Sequence, residues 1–143
     1  MTQNEKKLLF KDLCMRLPYG VKVEIKYHDD AWELLAIYTN GTTYAARDIG
    51  YPIETYFEDC KPYLFPLSSM SEDQKYEFYL RFIVNDCDFD CFKIYLDNGK
   101  WHKLLTSLDD IETIIDWFHK NHIDYRGLIP MKLANDATGL NIY

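Results

Sequence analysis

From Val21 to Tyr27 the chain reads Val21-Lys22-Val23-Glu24-Ile25-Lys26-Tyr27, apolar and charged residues alternating without an error. A period of two belongs to a half-buried strand, one face on a core and the even-numbered face wet. The residues that follow tighten this constraint. Segments 32–38 and 42–46 flank Thr39-Asn40-Gly41, and Asn-Gly between apolar runs is the strongest short-range hairpin signal. Three consecutive antiparallel strands are therefore predicted. The stretch 53–65 adds at most a short fourth strand before Pro62 and Pro66 interrupt pairing. Such a set forms either a curled sheet or a small SH3-like barrel.

Helical periodicity surrounds this block. Residues 4–17 place Leu9, Phe10, Leu13, Cys14 and Leu17 at three- and four-residue spacing, with Lys6, Lys7, Lys11 and Arg16 elsewhere, before Pro18 and Gly20 end the helix. Ser71 with Gln74 three residues on has the form of a capping box. It opens a second helix to about Ile83, whose inward face is Tyr76, Tyr79, Leu80 and Ile83, widened by Phe78 and Phe82. Asp97-Asn98-Gly99 between the apolar runs 92–96 and 101–105 predicts a second hairpin. Ser107 caps a third helix with Leu108, Ile111, Ile114, Ile115 and Phe118 on one face and Asp109, Asp110, Glu112 and Asp116 off it. Beyond Asn121 a loop-rich tail is expected from Gly127, Pro130 and Gly139.

These elements predict one α+β domain over residues 1–143, with strands mainly in 21–65, then helix, hairpin and helix in 71–122, and the tail in 123–143. About three helices pack on a small antiparallel sheet. At 48% hydrophobic and 16% aromatic residues, the chain is far too apolar for disorder. No apolar run approaches the roughly 20 residues that cross a bilayer. The first residues are polar and charged and lack a secretory core, so Cys14, Cys60, Cys87 and Cys91 are expected as free thiols in a reducing cytoplasm.

The net charge is −7, with 8 basic and 10 acidic groups in residues 1–62 and 8 and 13 in residues 63–143. An acidic surface repels phosphate backbones, which disfavours direct nucleic-acid binding and makes a basic protein surface the easier partner.

Three groups of residues are candidates for chemistry. Asp86, Asp88, Asp90 and Asp97 fall at positions 1, 3, 5 and 12 of a calcium loop, although Cys91 occupies the position of the turn glycine and Asp97 that of the bidentate Glu. Asp116, His119 and His122 recur every three residues, a spacing that can gather metal ligands on one helix face. Ser68 and Ser69 precede a helix N-terminus, and Arg126, beside Asp124 and Tyr125, can clamp an anion. No nucleophile elbow, phosphate loop or redox pair is present, which leans the reading away from an enzyme and implies no cofactor.

The phrases Lys61-Pro62-Tyr63-Leu64-Phe65-Pro66-Leu67-Ser68-Ser69-Met70-Ser71-Glu72 and Asp124-Tyr125-Arg126-Gly127-Leu128-Ile129-Pro130 are distinctive, as is Asp12-Leu13-Cys14-Met15-Arg16-Leu17-Pro18-Tyr19-Gly20-Val21. In the same order and over nearly the whole chain, they resemble a family of uncharacterised small proteins from phages, prophages and mobile elements of gut bacteria. Phe65 stands where that family usually has a basic residue, and Phe118-His119 where Leu-Asn is expected, whereas His122, Asp124, Tyr125 and Arg126 match. The resemblance implies a phage or mobile-element setting and a cytoplasmic location, and no mechanism. The reading that follows is a non-enzymatic interaction protein acting on a host factor. Its alternatives are a small-ligand binder or enzyme using Arg126, His122 and Asp124 beside Ser68-Ser69, and a cation-binding regulator at Asp86, Asp88 and Asp90.

Overall fold

A computed structural model describes residues 1–83, 87–105 and 111–143. In chain order the elements are α1 Gln3–Arg16, β1 Lys22–Ile25, β2 Ala31–Ile37, β3 Thr42–Ala46, β4 Ile53–Tyr56, β5 Cys60–Pro66, α2 Glu72–Phe82, α3 Phe89–Asp97, α4 Ile111–Lys120, β6 Ile123–Asp124 and β7 Asn135–Asp136. The fold is α+β, as predicted. Strands pair in the order β4-β3-β2-β1-β5-β6, with β7 also on β5. Among the described residues the end strands do not pair, so the sheet is open and the SH3-like closure is not borne out. Two compact units divide the chain, residues 1–64 with 126–143 and residues 65–125.

The first unit grows from local signals. Thr2 and Glu5 form a capping box at the start of α1, which buries Leu9 and Leu13. The same face buries Asp12 and Arg16 completely, while Cys14, predicted inward, is exposed. Alternation places Val21, Val23 and Ile25 in the core with Trp32, Leu34, Ala45 and Cys60. The β2–β3 hairpin forms as the Asn-Gly signal predicts: Asn40 Oδ1 accepts the Thr42 N–H at 3.0 Å, and Gly41 takes φ +91°. A Cβ at Gly41 would also lie 3.2 Å from the Phe57 ring.

Contrary to expectation, Pro62 and Pro66 lie inside β5. Pro62 pairs opposite Val23, and the ladder on its other edge begins only at Tyr63, opposite Asn135, beyond the residue that lacks a donor. Within residues 126–143, Leu128, Leu133 and Ala134 bury themselves with Leu64.

The second unit is aromatic. Ser71 Oγ accepts the Gln74 N–H at 3.1 Å and Gln74 Oε1 accepts the Ser71 N–H at 3.0 Å, completing the predicted capping box. The inward face of α2 is Phe78 and Phe82, whereas Tyr76 and Leu80 are 49% and 62% exposed. Phe78 decides this rotation. Its ring meets those of Phe82, Phe92, Trp101, Trp117 and Phe118 at centroid distances of 4.9 to 6.1 Å.

The predicted second hairpin is a helix, α3, because Phe92 and Leu96 repeat at helical spacing and Asp88 caps the first turn by accepting the Cys91 N–H at 2.8 Å. Gly99 ends it at φ +67°, with its N–H bonded to the Leu96 carbonyl and that of Lys100 to Tyr95, a Schellman motif. Trp101–Leu104 is a short 3-10 turn rather than a strand. Helix α4 buries Ile114, Trp117, Phe118 and His119, and the predicted cap at Ser107 with Leu108, Asp109 and Asp110 lies outside the described residues. Strand β6 then pairs in parallel with Phe65 and Pro66.

Candidate functional site

The predicted anion-clamp residues are placed by hydrogen bonds of structural kind. Ser69 Oγ donates to the Pro66 carbonyl at 2.8 Å, closing the 3-10 turn Leu67–Ser69, and Ser68 is exposed on that turn. His122 takes φ +55° after α4, donates its N–H to the His119 carbonyl at 3.1 Å, and accepts the Phe65 N–H at 2.9 Å. Asp124 is buried in β6. Tyr125 Oη lies 3.2 Å from His119 Nε2, and its ring stacks on Phe118 at 5.1 Å. Ser69, His122, Asp124 and Tyr125 thus belong to the second unit, while Arg126 belongs to the first.

Arg126 is part of an arrangement that the sequence reading missed. The fully buried Asp12 carboxylate accepts from Arg16 Nε at 2.6 Å and from its Nη2 at 3.4 Å, and faces Arg126 Nε at 3.4 Å. A second Arg126 nitrogen approaches Met15 Sδ at 3.4 Å. One carboxylate between two guanidiniums stitches α1 to the segment after β6. The available signal was spacing, since residue 16 falls on the helix face of Leu9 and Leu13.

Three aspartates of the predicted calcium loop, Asp88, Asp90 and Asp97, lie at or within α3. Asp88 is its N-cap, Asp90 pairs with Lys93 at 3.5 Å in its first turn, and Asp97 is its last residue. A helix therefore runs between the acids that a loop would gather, with Asp86 outside the described residues. Asp116 is exposed on α4 while His119 is 1% exposed and bonded to Tyr125. Among the described residues no group of His, Cys, Asp and Glu is arranged to hold a metal ion.

Clefts open to solvent lie in the first unit. A cleft of about 600 Å³ in the first unit is lined by Lys22, Asp30, Arg47, Asp48 and neighbouring apolar groups. Two of its cations are engaged: Arg47 pairs with Asp30 and lies over the Trp32 ring at 4.6 Å, and Lys22 pairs with Glu33 at 3.1 Å. A smaller cleft of about 240 Å³ sits on the outer face of the hairpin, lined by Tyr38, Asn40, Thr42, Tyr44 and Glu54.

Register explains this second grouping. Tyr44 lies opposite Ala36 on β2 and Glu54 on β4, and Thr42 lies opposite Tyr56, so residues two apart share one face. The Tyr38 N–H bonds the Thr42 carbonyl at 2.8 Å and puts the Tyr38 ring beside Tyr44, with centroids 5.7 Å apart and planes at 72°. Tyr44 Oη donates to Glu54 Oε2. That hydrogen bond first, and the carboxylate charge second, hold the Tyr44 phenol above its usual pKa. The Asn40-Gly41 signal predicted the two strands but not which of their residues share this outer face. No family model, curated protein or solved structure matches the chain.

Proposed function

We propose that the protein is a non-enzymatic interaction module of phage or mobile-element origin that acts on a host protein. The observation that carries this reading is the tyrosine-bearing outer face of β2, β3 and β4, where Tyr38 and Tyr56 are 54% and 61% exposed. Tyrosines bury large area at small entropy cost when a partner docks, and singly exposed apolar residues are ordinary whereas a grouped set is not.

The polar residues that a catalytic reading needs are engaged in turns, caps and buried pairs, as with Ser69, Asp88 and His119. The sequence resemblance supplies the setting, and none of the described helices is long and apolar enough to cross a membrane. The test is capture from a gut-bacterial host lysate on immobilised wild-type protein and on a Tyr38→Ser/Tyr56→Ser variant, read by mass spectrometry. A host protein retained by the wild type and lost by the variant is expected. Identical retention on both, or none above a blank matrix, overturns the reading.

A further inference from the structure

We infer that the corner formed by Tyr38, Tyr44 and Glu54 is a receptor for an arginine side chain carried by the partner protein, an assignment that rests on the interaction reading above. Three observations converge on this chemistry. First, the two rings stand nearly perpendicular at 5.7 Å, so an entering group meets the face of one and the rim of the other. A cation is attracted to a ring face within about 6 Å of its centroid. Second, Glu54 is the one charged group lining the cleft, and nothing cationic among its lining residues competes for that carboxylate. Tyr44 engages Oε2 of Glu54, and this exposed side chain makes no ion pair among the described residues. The corner therefore offers negative charge and π-faces without an internal counter-ion.

Third, the same unit holds a filled version of this arrangement. Arg47 lies over the Trp32 ring at 4.6 Å while its guanidinium pairs with Asp30. There an aromatic face, a carboxylate and an arginine satisfy one another; at Tyr38, Tyr44 and Glu54 the first two are in place and the third is absent. Arginine fits better than lysine, because a planar guanidinium stacks on a ring while forking to a carboxylate, whereas an ammonium is a strongly hydrated point charge.

The probe is N-acetyl-argininamide, titrated into protein carrying labelled tyrosine and followed by NMR, with the neutral isostere N-acetyl-citrullinamide and N-acetyl-lysinamide as parallel arms. Saturable shifts confined to Tyr38, Tyr44 and their hairpin neighbours are expected for the arginine probe. Affinity should fall roughly tenfold for citrulline and roughly tenfold again in Glu54→Gln, a surface change that keeps the hairpin register. Tyr44→Phe retains the ring and most of the binding, and unchanged amide spectra elsewhere certify that each variant is folded. Equal affinity for arginine and citrulline, tighter binding of lysine, or no localised shift overturns the assignment. Arginine binding that Glu54→Gln weakens to that extent supports the site even where the lysate yields no partner, an outcome that removes only the host-protein reading. A captured partner whose retention is indifferent to Glu54→Gln preserves that reading and overturns this one.

Discussion

The two units of this chain solve the same problem with different materials. The first, residues 1–64 and 126–143, holds 10 basic and 11 acidic groups, and is ordered by a ladder of strands and by a buried carboxylate between two arginines. The second, residues 65–125, holds 6 basic and 12 acidic groups and has as its strand pairing only Phe65 and Pro66 with β6 among the described residues. Its order comes from rings packed on Phe78. A ladder specifies register through hydrogen bonds and tolerates modest side chains such as Ala45, whereas a helical cluster with little backbone pairing between elements depends on the shape of a few large ones. Acidic excess is borne where that aromatic interior is densest.

The contrast is broken most directly at its hub. Phe78→Ala should cost about 4 kcal/mol, since five surrounding rings cannot all collapse into the void. Urea unfolding gives the magnitude. Amide exchange gives the location, with protection expected to fall across α2, α3 and α4 and to persist in β1–β3; uniform loss in both units would erase the distinction. Next in size, Asp12→Ala should destabilise the first unit by about 3 kcal/mol, because it leaves two guanidiniums facing each other without their shared carboxylate. The same exchange measurement should now show β1, β5 and the residues around Leu128 affected and α2 spared.

The smallest effect sharpens the picture of the first core. Burial pushes the Cys60 thiol up to about 11 from a usual 9.0. The folded state thus keeps its proton where the unfolded chain has lost it. That contribution is complete below pH 9 and is lost as pH rises from 9 to 11, by about 2 kcal/mol. Chemical denaturation of wild type and Cys60→Ala across that window should give curves whose difference shrinks with pH; a constant difference would place the thiol in a wetter setting.

Local instructions were the legible ones. The Asn40-Gly41 turn, the Ser71 capping box and the alternation of β1 each concern residues within a few positions, and each formed as predicted. Asn98-Gly99 shows why a dipeptide is insufficient: the same signal closed a helix instead of a hairpin, since Asp88, Phe92 and Leu96 before it were already spaced for one. Arg16 was misplaced because its charge argued for water while its helical position argued for the core, and the residue that reconciles the two, Asp12 held also by Arg126, involves a contact 114 positions away. Among the candidate sites, Ser69 was readable as turn chemistry, whereas Asp88, set in a stretch read as a hairpin, was not readable as a helix cap. Nor was the Tyr38, Tyr44 and Glu54 corner legible, because it depends on the pairing of β4 with β3 that sets Glu54 opposite Tyr44.

The division at Leu64 and Arg126 has a consequence for biosynthesis. Strand β5 needs Asn135 and Asp136 along its free edge, so a ribosome must deliver all of residues 65–125 before the first unit can be finished. Until then Leu64 lacks Leu128 and Leu133 as cover, and the nascent chain carries an unfinished, sticky margin. The intervening segment acts as a timer: how quickly it compacts sets how far apart the two halves of that margin are when they first meet.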